Sequence, residues 1–272
     1  MNDTKKRNDV LANLIGQAVN TIITKCETKE KIDTLVDKHN AKIHFIPKRY
    51  RIFGGLLQSM NIQFGNFIEE LMAVLFNNEP DYSLVKEYSG KKGNQFKISS
   101  SNETRIDEYI TRCQSEYLNL DIEFPKLLKE IVDDNNPAEI SFKHDIDLLF
   151  KSNDEKPTYY YVEIKYNDDH DTGKFVDINR KFIKTYAYLK KELAISSPDE
   201  LVPILFFFTN KRMKGNIYVP ESTNIKRGKN FFDEFLHVNY EDVDNCLATL
   251  SESDLTVNMF NELYNKIMGL TL

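Results

Sequence analysis

The sequence lacks any long apolar run, which excludes one class of protein. Even a run as apolar as Ile204–Phe208 is far too short, because a membrane-spanning helix needs roughly 20 apolar residues. The segment from Met1 to Val10 is mostly polar and lacks the apolar core of a secretory signal. We therefore expect a soluble cytoplasmic protein with no membrane partner.

Cysteines are also few. The three thiols, Cys26, Cys113 and Cys246, are odd in number and far apart, without the spacing of a metal-binding motif. This scarcity excludes a disulfide framework and predicts reduced thiols, as in cytosolic proteins.

An excess of positive charge is missing as well. The 272 residues carry 36 Lys and Arg against 42 Asp and Glu, a net charge of -6. This balance argues against a surface that binds nucleic acid everywhere, but it permits a local basic cleft. Apolar residues make up 41% of the chain, enough for the core of one large domain or two modest ones.

Two successive apolar, strand-like segments, 140–150 and 158–166, each carry two charged residues separated by one position. Alternate residues of a strand share a face. Asp145 is therefore expected on the same face as Asp147, and Glu163 on the same face as Lys165. If the strands pair, three acids and a lysine converge, which suits a divalent cation and an activated water for cutting a phosphodiester. Acid-any-Lys occurs four times, but only Glu163–Lys165 lies in an apolar strand. The alternative is an edge hairpin with solvated charges.

Hydrophobic periodicity predicts the remaining elements. Helices are expected at 9–25, 28–39, 62–77 and 174–194, and one or two more over 105–133. Gly54-Gly55 interrupts the pattern, and a polar loop is expected over 86–104. A buried strand at 204–209 follows the helix at 174–194, which predicts a crossover between parallel strands. The pattern indicates one α/β domain, with a mixed sheet flanked by helices and a helical N-terminal portion.

This order of elements resembles that of the PD-(D/E)xK nucleases. Asp147 matches the first acid of their motif, Glu163-Ile164-Lys165 matches the second part, and Ile146 replaces the proline. The stretches 64–71, 144–150 and 167–174 resemble type II restriction endonucleases of the TdeIII/HinfI-like group. The resemblance implies a restriction endonuclease-like fold and a single nuclease domain over 1–272. Its parts would be a mainly helical portion (1–135), a catalytic core (136–215) and a helical C-terminal portion (216–272).

The resemblance also implies roles for the charged residues. Asp147 and Glu163 would bind Mg²⁺ together with a main-chain carbonyl and a phosphate oxygen, and Lys165 would orient or deprotonate the attacking water. Asp145 could replace Asp147 or bind a second metal ion. An acid on the preceding helix, Glu69 or Glu70, could complete the metal site.

Candidate DNA contacts come from polar loops and one helix face. The run Asp168–Asp171 could be read as a metal cluster, but the better interpretation is a loop ending in the N-cap of the next helix, Asp171 or Thr172. Arginines in such positions can contact guanine edges, and lysines can contact phosphates. The candidates are Thr172, Lys174, Arg180, Lys211, Arg212, Lys214, Lys226 and Arg227.

The leading hypothesis is a Mg²⁺-dependent type II restriction endonuclease. The resemblance implies a homodimer that cuts double-stranded DNA at a short palindromic site, by analogy one with an unspecified central base, beside a protective DNA methyltransferase. One alternative is a repair or recombination nuclease of the same superfamily that reads DNA structure. The other is a non-catalytic DNA-binding protein.

Overall fold

The computed structural model describes residues 2–90 and 92–271, with side chains from residue 11 onward. Lys91, part of the loop predicted at 86–104, lies outside the described residues. The chain forms two compact units, one comprising residues up to Phe67 together with those from Val238, the other Ile68–His237. A single nuclease domain over 1–272, with the inner boundaries given above, stays a prediction.

The described residues form both helices and strands. No described helix is long and apolar enough to cross a membrane. The helices are α1 (Asn2–Cys26), α2 (Lys29–Asn40), α3 (Lys48–Phe76), α4 (Ser100–Ser115), α5 (Leu120–Asp133), α6 (Thr172–Glu192), α7 (Gly228–Phe235), α8 (Tyr240–Ser251) and α9 (Asp254–Met268). The strands are β1 (Tyr82–Leu84), β2 (Gln95–Ile98), β3 (Ile140–Lys143), β4 (Leu148–Ser152), β5 (Tyr159–Lys165), β6 (Leu201–Phe207) and β7 (Ile225–Arg227).

The first unit is helical, and its apolar core includes Leu35 of α2, Ile52 of α3 and Ile267 of α9. The predicted start of the third helix near residue 62 is wrong, because α3 begins at Lys48 and contains Gly54-Gly55. A Cβ on Gly55 would lie 3.0 Å from Cδ2 of Leu35. The lack of a side chain at this position therefore allows α2 and α3 to pack closely.

The second unit is built on a five-stranded mixed sheet in the order β1-β4-β5-β6-β7. β4 pairs antiparallel with β1 and β5, whereas β6 pairs parallel with β5 and β7. The predicted mixed sheet and the crossover between parallel strands through α6 are both confirmed. β2 and β3 form a separate antiparallel pair.

Both faces of the five-stranded sheet are covered. On one face Tyr161 stacks on Phe182 of α6, with a centroid distance of 5.2 Å. On the other face Phe150 stacks on Phe76 of α3 at 4.1 Å, and aromatic residues of α7 add to this layer. The middle strands are therefore apolar on both sides, as their runs of Leu, Ile, Val and Phe suggest.

Two sequence predictions in this unit are wrong. The single strand expected at 140–150 is two strands, β3 and β4, which belong to different sheets and are separated by residues 144–147. The loop expected at 86–104 contains β2, because Phe96 and Ile98 are buried against the core, and it also contains the start of α4.

Candidate active site

Three oxygen atoms converge on the ammonium group of Lys165 at the end of β5. Nζ lies 2.7 Å from Oε1 of Glu163, 3.3 Å from Oδ2 of Asp147 and 2.7 Å from the carbonyl oxygen of Ile164. The side chain of Glu163 is almost fully buried, whereas that of Lys165 is 23% exposed. The cluster is thus anchored in the sheet but remains accessible at the lysine.

The strand pairing accounts for this convergence. Asp147 immediately precedes β4, and its Oδ2 accepts a hydrogen bond of 2.8 Å from the N–H of Ile164 in β5. Glu163 and Lys165 project from the same face of β5 because they are two residues apart. Two neighbouring strands therefore bring acids that are sixteen positions apart in the sequence to one point.

The electrostatics of the two acids are coupled. Burial and the carboxylate of Glu163 raise the pKa of Asp147, although Lys165 opposes this shift. Burial also raises the pKa of Glu163, but Lys165 and His144 outweigh burial, and the net direction is down. For Lys165, burial lowers the pKa, but Asp147 and Glu163 outweigh it and raise the pKa above its ordinary value. These groups form one ionic cluster.

The other candidate acids lie in different surroundings. Glu69, on α3, is close enough to the cluster to raise the pKa values of Asp147 and Lys165, whereas Glu70 is exposed. The expected strand alternation does not apply to Asp145 and Asp147, because both lie in the segment between β3 and β4. Its Oδ1 accepts hydrogen bonds from the N–H groups of residues 92 and 94, at 3.2 and 2.9 Å.

The donor set suits a hard divalent cation. Such cations prefer oxygen ligands. Asp147, Glu163 and the carbonyl group of Ile164 supply three oxygen atoms, which surround the ammonium group of Lys165. No group of three His, Cys, Asp or Glu side chains with metal-binding geometry occurs among the described residues. The remaining ligands would therefore come from water and substrate.

Several predicted DNA-contact residues are exposed, some on the loop after β6 and some at the start of α6, next to the loop after β5. Thr172 and Lys174 follow β5, and Lys211 and Arg212 follow β6. Lys214 joins the two loops through a 3.1 Å ion pair with Asp169. Because β5 and β6 are parallel, both loops leave the sheet at the end where Lys165 lies.

The other three predicted DNA contacts are at most partly exposed, and all three form ion pairs within the protein. Arg180 forms a 2.8 Å ion pair with Asp107, and Lys226 forms a 2.6 Å ion pair with Glu234. Arg227 is buried and pairs with Asp168 and Glu221. The assignment of Arg227 as a DNA contact therefore disagrees with the structure, because its guanidinium group lies in the interior.

Asp168 is a residue whose importance the sequence did not reveal. Its fully buried carboxylate accepts hydrogen bonds from the N–H groups of Met213, Lys214 and Gly215, and it pairs with Arg227. In the sequence it is one of several acids in a polar run, without a distinguishing signal. The predicted N-cap three residues later is confirmed, since Asp171 accepts a bond from the N–H of Lys174.

Comparisons with known proteins agree with this arrangement. The family model described as "Type II restriction endonuclease, HinfI" matches residues 7–251. The type II restriction enzyme HinfI of Haemophilus influenzae is 57% identical over 264 residues, which cover 97% of this chain and 99% of that protein. No solved structure matches the chain.

The fold, the ionic cluster and these matches define the class of protein as type II restriction endonucleases, hydrolases that cut DNA at specific sites. Within that class, the chain belongs to the HinfI family. This membership argues against both alternatives considered for the sequence, the structure-reading repair nuclease and the non-catalytic DNA-binding protein.

Proposed function

We propose that this protein cuts double-stranded DNA in a Mg²⁺-dependent reaction at a short palindromic site with an unspecified central base. The convergence of three oxygen atoms on Lys165 is the observation that carries the proposal. Membership in the HinfI family supports the DNA substrate and the site specificity.

Asp147, Glu163 and the carbonyl group of Ile164 would hold the Mg²⁺ ion, and Glu69 would support it from α3. When bound, the ion supplies Lewis acidity and makes water a better nucleophile. Asp145 is not included among the metal ligands, because its Oδ1 accepts hydrogen bonds from the N–H groups of residues 92 and 94.

Lys165 would act on the water and on the phosphate. Its ammonium group can donate hydrogen bonds to both, orienting the water and stabilising the negative charge that develops on the phosphate oxygens. Its contacts with the two carboxylates hold the ammonium group at the partly exposed side of the cluster, where a scissile phosphate could reach it.

The DNA would lie over the loops at the ends of β5 and β6. The exposed donors are Thr172 and Lys174 in the first turn of α6, and Lys211, Arg212 and Lys214 on the loop after β6. They could contact phosphates and base edges. Arg180 and Lys226 could contribute only by leaving Asp107 and Glu234, and we set Arg227 aside because it is buried.

A palindromic site implies a two-fold symmetric enzyme. Two copies related by a two-fold axis would present one active centre to each strand. We therefore propose a homodimer that works in the cytoplasm beside a DNA methyltransferase of matching specificity, which protects the host DNA and need not bind this protein.

The test is digestion of unmethylated plasmid DNA by the purified protein, with Mg²⁺ and separately with EDTA. We expect discrete bands with Mg²⁺ and intact DNA with EDTA, and sequencing the ends of the fragments would give the site. The variant Lys165→Ala should fold, as judged by circular dichroism, and fail to cut. A smear, cutting in EDTA, or full activity of the variant would contradict the proposal.

A further inference from the structure

Both oxygen atoms of the Glu163 carboxylate have partners within the protein. Oε1 lies 2.7 Å from Nζ of Lys165 and 3.6 Å from Nε2 of His144. Oε2 accepts a 3.2 Å hydrogen bond from the hydroxyl group of Tyr161. Because each oxygen has its own contact, rotation of the carboxylate about its last bond is restricted.

His144 is held in turn by a helix. Its Nδ1 lies 2.9 Å from Oγ1 of Thr185, a fully buried residue of α6. Glu163 is thus held by polar contacts with a loop residue, His144, and a strand residue, Tyr161, and the loop residue is held by the helix.

The negative carboxylate of Glu163, which faces Nε2, favours one tautomer of His144. A threonine hydroxyl group has one hydrogen, and a neutral imidazole ring carries one N–H group. When Thr185 donates its hydrogen to Nδ1, the ring proton is on Nε2 and faces the negative Oε1 of Glu163. Without that hydroxyl group the proton can move to Nδ1, which turns a lone pair toward the carboxylate.

We propose that Thr185, His144 and Tyr161 are positioning residues that fix the carboxylate of Glu163 in the orientation in which it binds the divalent cation. The inference rests on the proposed function, because it requires Glu163 to be a metal ligand. The three residues act through Glu163 and touch neither metal nor DNA. Loss of such a partner typically weakens metal affinity or activity by about 10- to 100-fold.

The direct test measures Mn²⁺ binding to the purified protein without DNA, from the electron paramagnetic resonance signal of the free ion. Thr185→Val removes the hydroxyl group and keeps the shape, whereas Thr185→Ser keeps the hydroxyl group. We expect the valine variant to bind Mn²⁺ about 10-fold more weakly, and the serine variant to bind it as the wild type does. Equal Mn²⁺ affinity in the valine variant and the wild type would overturn the inference.

A second pair of variants separates positioning from a general loss of structure. Tyr161→Phe removes the donor to Oε2 of Glu163, and Tyr159→Phe removes a hydroxyl group from a half-buried tyrosine on the same strand. Only Tyr161→Phe should raise the Mg²⁺ concentration needed for half-maximal cleavage, by about 10-fold, with the rate at saturating Mg²⁺ largely retained. A lower rate with an unchanged Mg²⁺ requirement would contradict positioning.

The wild-type protein distinguishes the possible failures. If it shows no Mg²⁺-dependent cleavage, the proposed function fails and the inference fails with it. If the wild type cleaves DNA but binds no Mn²⁺ in the absence of DNA, the inference alone fails. The inference also fails alone if Thr185→Val and Tyr161→Phe have the same metal dependence as the wild type.

Discussion

Asp145 and Asp147 are two residues apart, yet their carboxylates have different surroundings. Oδ2 of Asp147 faces Lys165 and the N–H of Ile164, whereas Oδ1 of Asp145 accepts two backbone hydrogen bonds from a loop. An asparagine at position 145 keeps that oxygen and both bonds. An asparagine at position 147 removes a negative charge from the ionic cluster. The two substitutions form a matched pair.

Asp147→Asn should lower the single-turnover cleavage rate by at least about 10²-fold, as expected when a group that organises transition-state charge is lost. Asp145→Asn should cleave within a few-fold of the wild type. The measurement is quenched-flow cleavage of a DNA fragment that the wild type cuts, at saturating Mg²⁺. If Asp145→Asn is the inactive variant, the assignment of the ligands must be reversed.

Strand alternation is enough to predict that Glu163 and Lys165 act together, because both lie in one short apolar segment. It could not predict the polar contacts that hold Glu163. His144 and Thr185 are 41 residues apart and lie on different elements, so no local period connects them. Contacts of this kind are set by the packing of α6 on the sheet and become visible only in three dimensions.

At the scale of elements, Asp168 links two loops: it lies after β5 and accepts hydrogen bonds from N–H groups of the loop after β6. Burial raises the pKa of Asp168, but the N–H groups of Gly215 and Met213 and the charge of Arg227 outweigh burial and lower it. A group with a lowered folded-state pKa stabilises the fold above its unfolded pKa and loses this effect as the pH falls through the folded pKa. Asp168 should therefore stabilise the protein at neutral pH.

Asp168→Asn should lower the free energy of unfolding at pH 7 by about 3 kcal/mol, because it leaves a buried charge without one of its partners. Asp169→Asn is the control, since Asp169 is exposed, and its effect should stay within about 0.5 kcal/mol. Urea unfolding measures both values. The difference between Asp168→Asn and the wild type should shrink below about pH 4, the unfolded pKa of aspartate. A constant difference down to pH 2 would contradict this account.

Helix α3 contains a glycine pair that the sequence analysis interpreted as an interruption of the helical pattern. Gly54-Gly55 resembles a helix break, yet the helix continues through it. A Cβ at Gly54 meets no other atom within 4 Å, whereas one at Gly55 lies 3.0 Å from Cδ2 of Leu35. The glycine pair lowers helix propensity, but the second glycine provides space that the neighbouring helix uses.

Gly54→Ala should raise the free energy of unfolding by about 0.5–1 kcal/mol, because alanine favours the helix and restricts the unfolded chain. Gly55→Ala should give less than this gain or a loss, since its methyl group presses on a buried leucine. Both are measured by urea unfolding. Equal gains in the two variants would mean that Leu35 moves aside without cost, and that Gly55 is not needed for packing.

For the whole molecule, the sequence order of the elements predicted the mixed sheet but not the two compact units. Residues up to Phe67 join those from Val238 because α1 packs against α8, near the other end of the chain. Amphipathic helices show that a face is buried, but the pattern does not say against which partner. Periodicity alone therefore could not have given the boundaries of the units.

The charge of the whole molecule leads to a prediction about DNA binding. The chain has a net charge of -6, and three of its acids, Asp147, Glu163 and Glu69, lie at the proposed centre, where a phosphate would enter. Two unit charges 4 Å apart near a protein surface interact by about 4 kcal/mol, so unscreened carboxylates there should oppose the substrate. A divalent cation would cancel much of this repulsion.

Ca²⁺, which commonly binds in place of Mg²⁺ without supporting cleavage, should raise the affinity for a fragment carrying the cut site by about 10-fold or more, a gain of about 1.4 kcal/mol. Fluorescence anisotropy measures the dissociation constant with Ca²⁺ and with NaCl at equal ionic strength, which separates specific binding of the ion from screening. Asp147→Asn should show a smaller gain from Ca²⁺, because its centre has lost one anionic ligand. If the wild type binds equally well in both salts, the acidic cluster neither repels DNA nor binds the ion, and the proposed metal centre would have to be abandoned.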